Sequence, residues 1–150
     1  PLTHTHTPRH ASAKCAAAPC RLVLCDQTIV IHREELLVKA RRACVIRPLT
    51  DPAEGGMPLH EHLIKSVLDG AHLCPLPQAE TAVYWQHDHA LWLHPAPDVL
   101  ILADRQPQYT HSYEPTDTLA FNPGAFASDL SFMVYRPSTK QVEASSLEAE

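Results

Sequence analysis

Asn122-Pro123-Gly124-Ala125-Phe126 is followed by Ser131-Phe132-Met133-Val134-Tyr135-Arg136-Pro137 and Lys140-Gln141-Val142-Glu143, a turn set between strand-like runs. Proline presets one backbone angle and glycine supplies a positive one, so Asn-Pro-Gly is a turn with a physical mechanism. Between apolar strands, such a turn fixes how both return to the same sheet. Upstream, Val99-Leu100-Ile101-Leu102 is apolar without interruption, the pattern of a strand covered on both faces.

Working outward, residues 20–25 and 28–32 are β-rich runs joined by Asp26-Gln27, which predicts a hairpin. Residues 33–44 read as a helix. Leu36, Leu37, Ala40 and Cys44 fall on one face, with Glu35, Lys39 and Arg42 opposite. Glu34 and Glu35 are expected in its first turn and the basic residues in its last, as the helix dipole favours. Residues 51–56 form a loop. A second helix is expected to start at Pro58, where a missing amide costs nothing, to carry Leu59, Leu63 and Val67 as its stripe, and to end at Gly70. After Pro75-Leu76-Pro77, residues 83–85 and 90–93 read as strands. Residues 105–116 read as a polar loop, and residues 118–121, 131–135 and 141–143 are expected to finish the sheet. The order predicts a layered α/β sandwich rather than a Rossmann alternation. Residues 1–18, with Thr-His-Thr-His-Thr and Ala16-Ala17-Ala18, read as a flexible linker before a domain over 19–150.

The 150 residues are 45% hydrophobic, enough for one domain with a real core. The net charge of −5 hides an asymmetry: residues 1–50 carry eight Lys/Arg against three Asp/Glu, and residues 51–150 four against fourteen. A mildly acidic chain is a poor candidate for wrapping DNA, because affinity that ignores sequence comes from neutralised phosphates. Lys39, Arg41, Arg42 and Arg47 are the nucleic-acid candidates, or contacts for an acidic partner; the plainer reading is a solvated helix end. The five cysteines, Cys15, Cys20, Cys25, Cys44 and Cys74, are irregularly spaced without a CxxC. Reduced, mostly buried thiols in an intracellular protein are expected. No apolar run approaches the ~20 residues of a membrane helix.

The turn and the Phe126, Phe132 and Tyr135-Arg136-Pro137-Ser138 around it resemble the end of the calcineurin-like metallophosphoesterases and, more specifically, of the polymerase B-subunit family. Further matches follow in the same order: Pro19-Cys20-Arg21-Leu22, Ile31-His32-Arg33-Glu34-Glu35-Leu36, Cys44-Val45, Gly70-Ala71-His72-Leu73-Cys74-Pro75-Leu76-Pro77, Val83-Tyr84-Trp85 and Pro97-Asp98-Val99-Leu100-Ile101-Leu102-Ala103-Asp104. The Asn-Pro-Gly-x-Phe ending and Pro-Leu-Pro favour the B subunit of DNA polymerase epsilon over those of delta or alpha. The resemblance implies the C-terminal portion of a calcineurin-like β-sandwich flanked by helices, catalytically degenerate. An upstream half and an oligonucleotide-binding-type domain are expected to lie outside this chain. A half-sheet standing alone would expose an edge prone to aggregation.

Enzymes of that fold hold two metals with Asp, Asn and His ligands from several strand-end loops, kept partly open for water and phosphate. By the resemblance, the closing Gly-His-x-His falls on Ala71-His72-Leu73-Cys74 and the Asn-His pair on Ala18-Pro19. That leaves His72 as a vestigial ligand position beside Cys74, whose thiolate prefers softer ions. His60-Glu61-His62 is expected on a helix with its histidines pointing apart. His87-Asp88-His89 is expected in a turn and His4-Thr5-His6 in linker, each short of a third ligand. No G-x-S-x-G or glycine-rich phosphate loop appears, with four glycines in the chain.

The resemblance therefore implies no catalytic residue, metal or cofactor here, and a nuclear accessory subunit without enzymatic activity. It would scaffold the C-terminal domain of the catalytic subunit of DNA polymerase epsilon, meet replisome and helicase components, reach DNA through the holoenzyme, and avoid membranes. Tyr109, Tyr113 and Trp85 are the partner-binding candidates, since aromatic residues dominate interface hot spots; core packing is the competing role for the tryptophans. The opposing reading is an active metal-dependent phosphoesterase or phosphodiesterase with its remaining ligands upstream, which would need Asn-His at Ala18-Pro19 and His at Cys74.

Overall fold

The computed structural model of the chain describes residues 16–147. Strands β1 (Cys20–Leu24) and β2 (Gln27–His32) pair antiparallel with Leu24 opposite Gln27. The turn is therefore Cys25-Asp26, one residue earlier than the sequence suggests, with φ of 51° and 63°. Two positive angles in a two-residue loop match the right-handed twist of a hairpin.

Strand β3 (Val99–Leu102) lies parallel between β2 and β5 (Thr118–Asn122), and β4 (Tyr109–Tyr113) pairs antiparallel with β5. The order β1-β2-β3-β5-β4 puts the uninterrupted apolar strand at the centre, and Val99, Leu100 and Leu102 are each at most 1% exposed. One face of the sheet, with Val30, Leu100, Leu102 and Ala120, lies under helices α1 (Leu36–Ala43) and α2 (Leu59–Asp69). The other face, with Ile29, Val99 and Phe121, is covered by Met133, Tyr135 and Val142. Those residues belong to β6 (Ser131–Arg136) and β7 (Gln141–Ser146), which form a separate two-stranded sheet. Helices, mixed sheet and hairpin make three layers.

The last strands thus do not finish the main sheet as expected: β3 and β4 already flank β5, and β6 and β7 pair with each other. The Asn-Pro-Gly segment lifts the chain onto the sheet face instead. Asn122 Oδ1 accepts the Gly124 amide at 3.1 Å, and Gly124 has the positive φ the motif predicts, 84°. A short helix α3 (Phe126–Asp129) then leads into β6. Gln108 Nε2 ties the layers together, donating to the carbonyls of Phe132 at 2.7 Å, Pro123 at 3.2 Å and Ser145 at 3.3 Å.

Helix α1 is shorter than expected and has no acidic residue in its first turn, because Glu35, the capping residue, is non-helical with ψ of 59°. Arg41 and Arg42 do lie in the last turn. Helix α2 follows Pro58 as expected, but Gly70 stays right-handed and Ala71 takes the left-handed position at φ 47°. His72 N donates to Val67 O at 3.2 Å and Ala71 N to Leu68 O at 3.1 Å, the paired bonds of a Schellman ending.

Two other segments differ from the reading. Residues 83–85 and 90–93 are not strands; Trp85–Leu91 is a 3-10 helix, and Trp92 forms a lone bridge with His72. Tyr84 and Trp85 are 79% and 74% exposed, so no sheet face is there to be covered. Conversely, the polar stretch holds strand β4, in which Tyr109, His111 and Tyr113 turn inward while Thr110 and Ser112 are exposed. The cysteines also depart from expectation: Cys25 and Cys44 are exposed, and Cys20 and Cys74 half-buried. No helix among the described residues is long and apolar enough to cross a membrane.

Candidate partner-binding surface

The Schellman turn after α2 delivers His72 to the 3-10 helix. Its Nδ1 accepts the Cys74 amide at 3.0 Å, and its Nε2 faces Asp88 Oδ1 at 3.2 Å. With Nδ1 accepting, the proton of the neutral ring sits on Nε2, toward the carboxylate. The other oxygen of Asp88 accepts from Trp92 Nε1 at 2.8 Å; that bond first, then His72, holds the Asp88 carboxyl below the usual carboxylate range. Both nitrogens of His72 are thus engaged, and Ala18-Pro19 brings no donor side chain. Among the described residues no three His, Cys, Asp or Glu side chains converge to hold a metal ion.

The histidine pairs separate. His60 stacks on Tyr109 with ring centroids 4.6 Å apart, while His62 Nε2 lies 3.0 Å from the Leu49 carbonyl. His87 and His89 are exposed on the 3-10 helix, with Asp88 between them turned to His72. His4, His6 and Cys15 lie outside the described residues.

A polar cluster that no motif announces sits where the parallel strands end. His32 ends β2, Asp104 follows β3 and Asn122 ends β5, at 7%, 8% and 0% exposure. Asn122 Nδ2 donates to Asp104 Oδ1 and, at 3.2 Å, to Gln106 O; the Gln106 amide also donates to Asp104 Oδ1, at 3.0 Å. Burial raises the Asp104 pKa against these hydrogen bonds, and burial lowers that of His32. His32 Nδ1 and Tyr109 Oη are buried without a partner. The signal available in sequence is polar residues at the ends of apolar runs, but their convergence depends on strand order.

Of the proposed contact residues, Trp85 is open to solvent, as are Tyr84 and, at 52% exposure, Trp92. Tyr109 is not a surface residue: it is 9% exposed within the helix-side core. Tyr113 is half-buried on the same strand and donates to Asp69. The polar residues around these two tyrosines suggest a loop, but pairing with β5 turns both inward.

The basic candidates divide. Lys39 is paired with Glu34 at 2.8 Å. Arg41, Arg42 and Arg47 are exposed, and none has a carboxylate within ion-pair distance among the described residues. Arg41 and Arg47 line a groove of about 580 Å³ between α1, α2 and residues 75–77. Each helix offers it a stripe at helical spacing, Leu37, Ala40 and Arg41 from α1, Leu59, Leu63 and Ser66 from α2. On its lip Val45 and Ile46 are 97% and 83% exposed.

The family of the DNA polymerase alpha/epsilon B subunits matches residues 1–111. The chain belongs to this B-subunit family. It is 40% identical over 129 residues to the DNA polymerase epsilon B subunit of Arabidopsis thaliana, covering 86% of this chain and 24% of that protein. It is 40% identical over 131 residues to "DNA polymerase epsilon subunit 2" of Homo sapiens, covering 87% and 24%. With "Probable DNA polymerase epsilon subunit 2" of Caenorhabditis elegans it shares 39% over 147 residues, 97% of this chain and 26% of the relative. The chain thus spans about a quarter of the length of the curated relatives it matches.

Proposed function

We propose that the chain is the C-terminal part of a non-catalytic accessory subunit of DNA polymerase epsilon. The observation that carries this is the 40% identity along 86–87% of the chain to proteins named as second, or B, subunits of that polymerase. In this reading residues 19–150 are part of a calcineurin-like phosphoesterase domain that has lost its metal site. The protein works in the nucleus by holding the C-terminal domain of the catalytic subunit, bringing it to helicase components and reaching DNA through the holoenzyme. Support for a lost site comes from the donor set: Cys74 and Ala18-Pro19 stand where ligands are expected, and both nitrogens of His72 are engaged. The exposed Tyr84, Trp85 and Trp92 supply the kind of surface an accessory protein needs to hold a partner.

The test is co-purification of the full-length protein with the C-terminal domain of the polymerase epsilon catalytic subunit, with an assay of bis-p-nitrophenyl phosphate hydrolysis in manganese. A stoichiometric complex without hydrolysis is expected. Absence of a complex, together with hydrolysis that His72→Ala abolishes, would replace this reading with that of an active phosphoesterase.

A further inference from the structure

The groove between α1 and α2 combines an apolar floor with a basic rim, and nothing among the described residues fills it. Leu37 and Ala40 from one helix and Leu59 and Leu63 from the other face into it, and Arg41 and Arg47 stand over it. Val45 and Ile46 extend the apolar surface outward at 97% and 83% exposure. Large apolar side chains left in water, beside guanidinium groups without a carboxylate partner among the described residues, mark a surface suited to an interaction. We infer that this groove seats an acidic amphipathic helix of the catalytic subunit, an inference that rests on the accessory-subunit reading above.

Three features select that occupant. Stripes from two adjoining helices line a trough into which a third helix can pack by its i, i+3, i+4 and i+7 positions. The length of α2, 11 residues, corresponds to a partner helix of about three turns. Arg41, Arg42 and Arg47 have no carboxylate of this chain to pair with among the described residues, so glutamates or aspartates flanking the partner's apolar stripe would neutralise them, and Arg offers each a bidentate contact. A nucleic-acid strand would satisfy the arginines but leave Val45 and Ile46 in water.

The experiment compares the full-length protein with two double variants for binding to the C-terminal domain of the catalytic subunit. One is Val45→Asp with Ile46→Asp; the other is Arg41→Glu with Arg47→Glu. All four side chains are at the surface or groove rim, so unchanged melting temperatures establish intact folding. Each pair is expected to weaken binding at least about tenfold, with the arginine pair also flattening its salt dependence. Cys44, exposed beside the groove, is expected to react with maleimide in the free accessory protein and to be shielded in the complex, read by mass spectrometry.

Wild-type binding with both variants unchanged overturns the groove while leaving the accessory-subunit reading intact. Failure of the wild-type protein to bind at all overturns that reading, and the groove assignment with it. Cys44 already shielded in the free accessory protein, whether as monomer or dimer, means that the rest of the protein or a second copy fills the groove, and also overturns the inference.

Discussion

Replacing Gly124 by alanine separates two penalties that usually arrive together. Gly124 has φ 84°, and a non-glycine residue held in the left-handed region costs about 1 kcal/mol. Its new Cβ would also collide with the Ser131 side chain and come within 3.0 Å of Gln108 Cγ. Neither neighbour can withdraw freely. Ser131 is 7% exposed with its Oγ donating to Asp129 at 2.6 Å, and Gln108 holds the carbonyl of Pro123 in the connection after β5 and those of Phe132 and Ser145 in the hairpin. Overpacking of this kind costs about 1–3 kcal/mol, so Gly124→Ala should lose about 3 kcal/mol in all. Gly55 supplies the control: its φ is 79° and nothing lies within 4 Å of a Cβ built there, so Gly55→Ala should lose only about 1 kcal/mol. Urea unfolding of the full-length protein and both variants, with the dependence on denaturant checked for constancy, measures the difference. Equal losses for the two substitutions would refute the claim that the β5–β6 connection is sterically closed at Gly124.

Gln108→Ala should destabilise the protein by about 1–2 kcal/mol, because it removes the donor that joins the start of β4 to the Pro123 carbonyl and to the hairpin carbonyls of Phe132 and Ser145; a loss below a few tenths in denaturant titration would show that water replaces the amide. Ala71→Gly should stabilise by about 0.5–1 kcal/mol, since the left-handed residue ending α2 is alanine, and an unchanged or lowered melting midpoint would count against the Schellman geometry. Asp104 has its pKa raised by burial, so its stabilising state is the protonated one, fully present at low pH and lost as pH rises through the raised value. Asp104→Asn should therefore be more stable than wild type at neutral pH, with the gap closing on acidification; a gap independent of pH would exclude this cause. For His32, burial depresses the pKa, so stability should fall as pH drops below about 6.5 toward the folded-state value, and His32→Gln should flatten that part of the pH profile of the melting temperature.

Much of the fold was legible because β2, β3 and β5 are dense apolar runs, and α2 carries Leu63 and Val67 at helical spacing between a proline and a glycine. What misled was hydrophobicity without burial. Tyr84, Trp85 and Trp92 look like strand residues, yet they lie exposed on and around a 3-10 helix. Strand β4 was hidden by the opposite effect: Thr110, His111 and Ser112 read as loop, although Tyr109, His111 and Tyr113 keep the two-residue period of a half-buried strand. That β4 flanks β5 while β6 and β7 pair with each other is a fact of topology that no local window contains. The same holds for the surface candidates. Arg41 and Arg47 were visible as charges, but the groove they flank is made by α1, α2 and residues 75–77 together. The Asp104–Asn122 cluster joins residues 18 positions apart through strand order.

The β6–β7 hairpin has a dynamic consequence. It is a leaf held to the body by an apolar patch of Met133, Tyr135 and Val142 on Ile29, Val99 and Phe121, and by a few side-chain links such as Gln27 to the Pro137 carbonyl at 2.9 Å. Its own ladder is complete without the main sheet, so it can lift as a unit without breaking backbone pairing elsewhere. Such units open at lower free energy than the global transition. Amides of β6 and β7 bonded to each other would stay protected through that opening, while the face of β3 beneath becomes briefly wet. Probes of side-chain accessibility at Ile101 and Phe121 would then report motion that backbone exchange does not see.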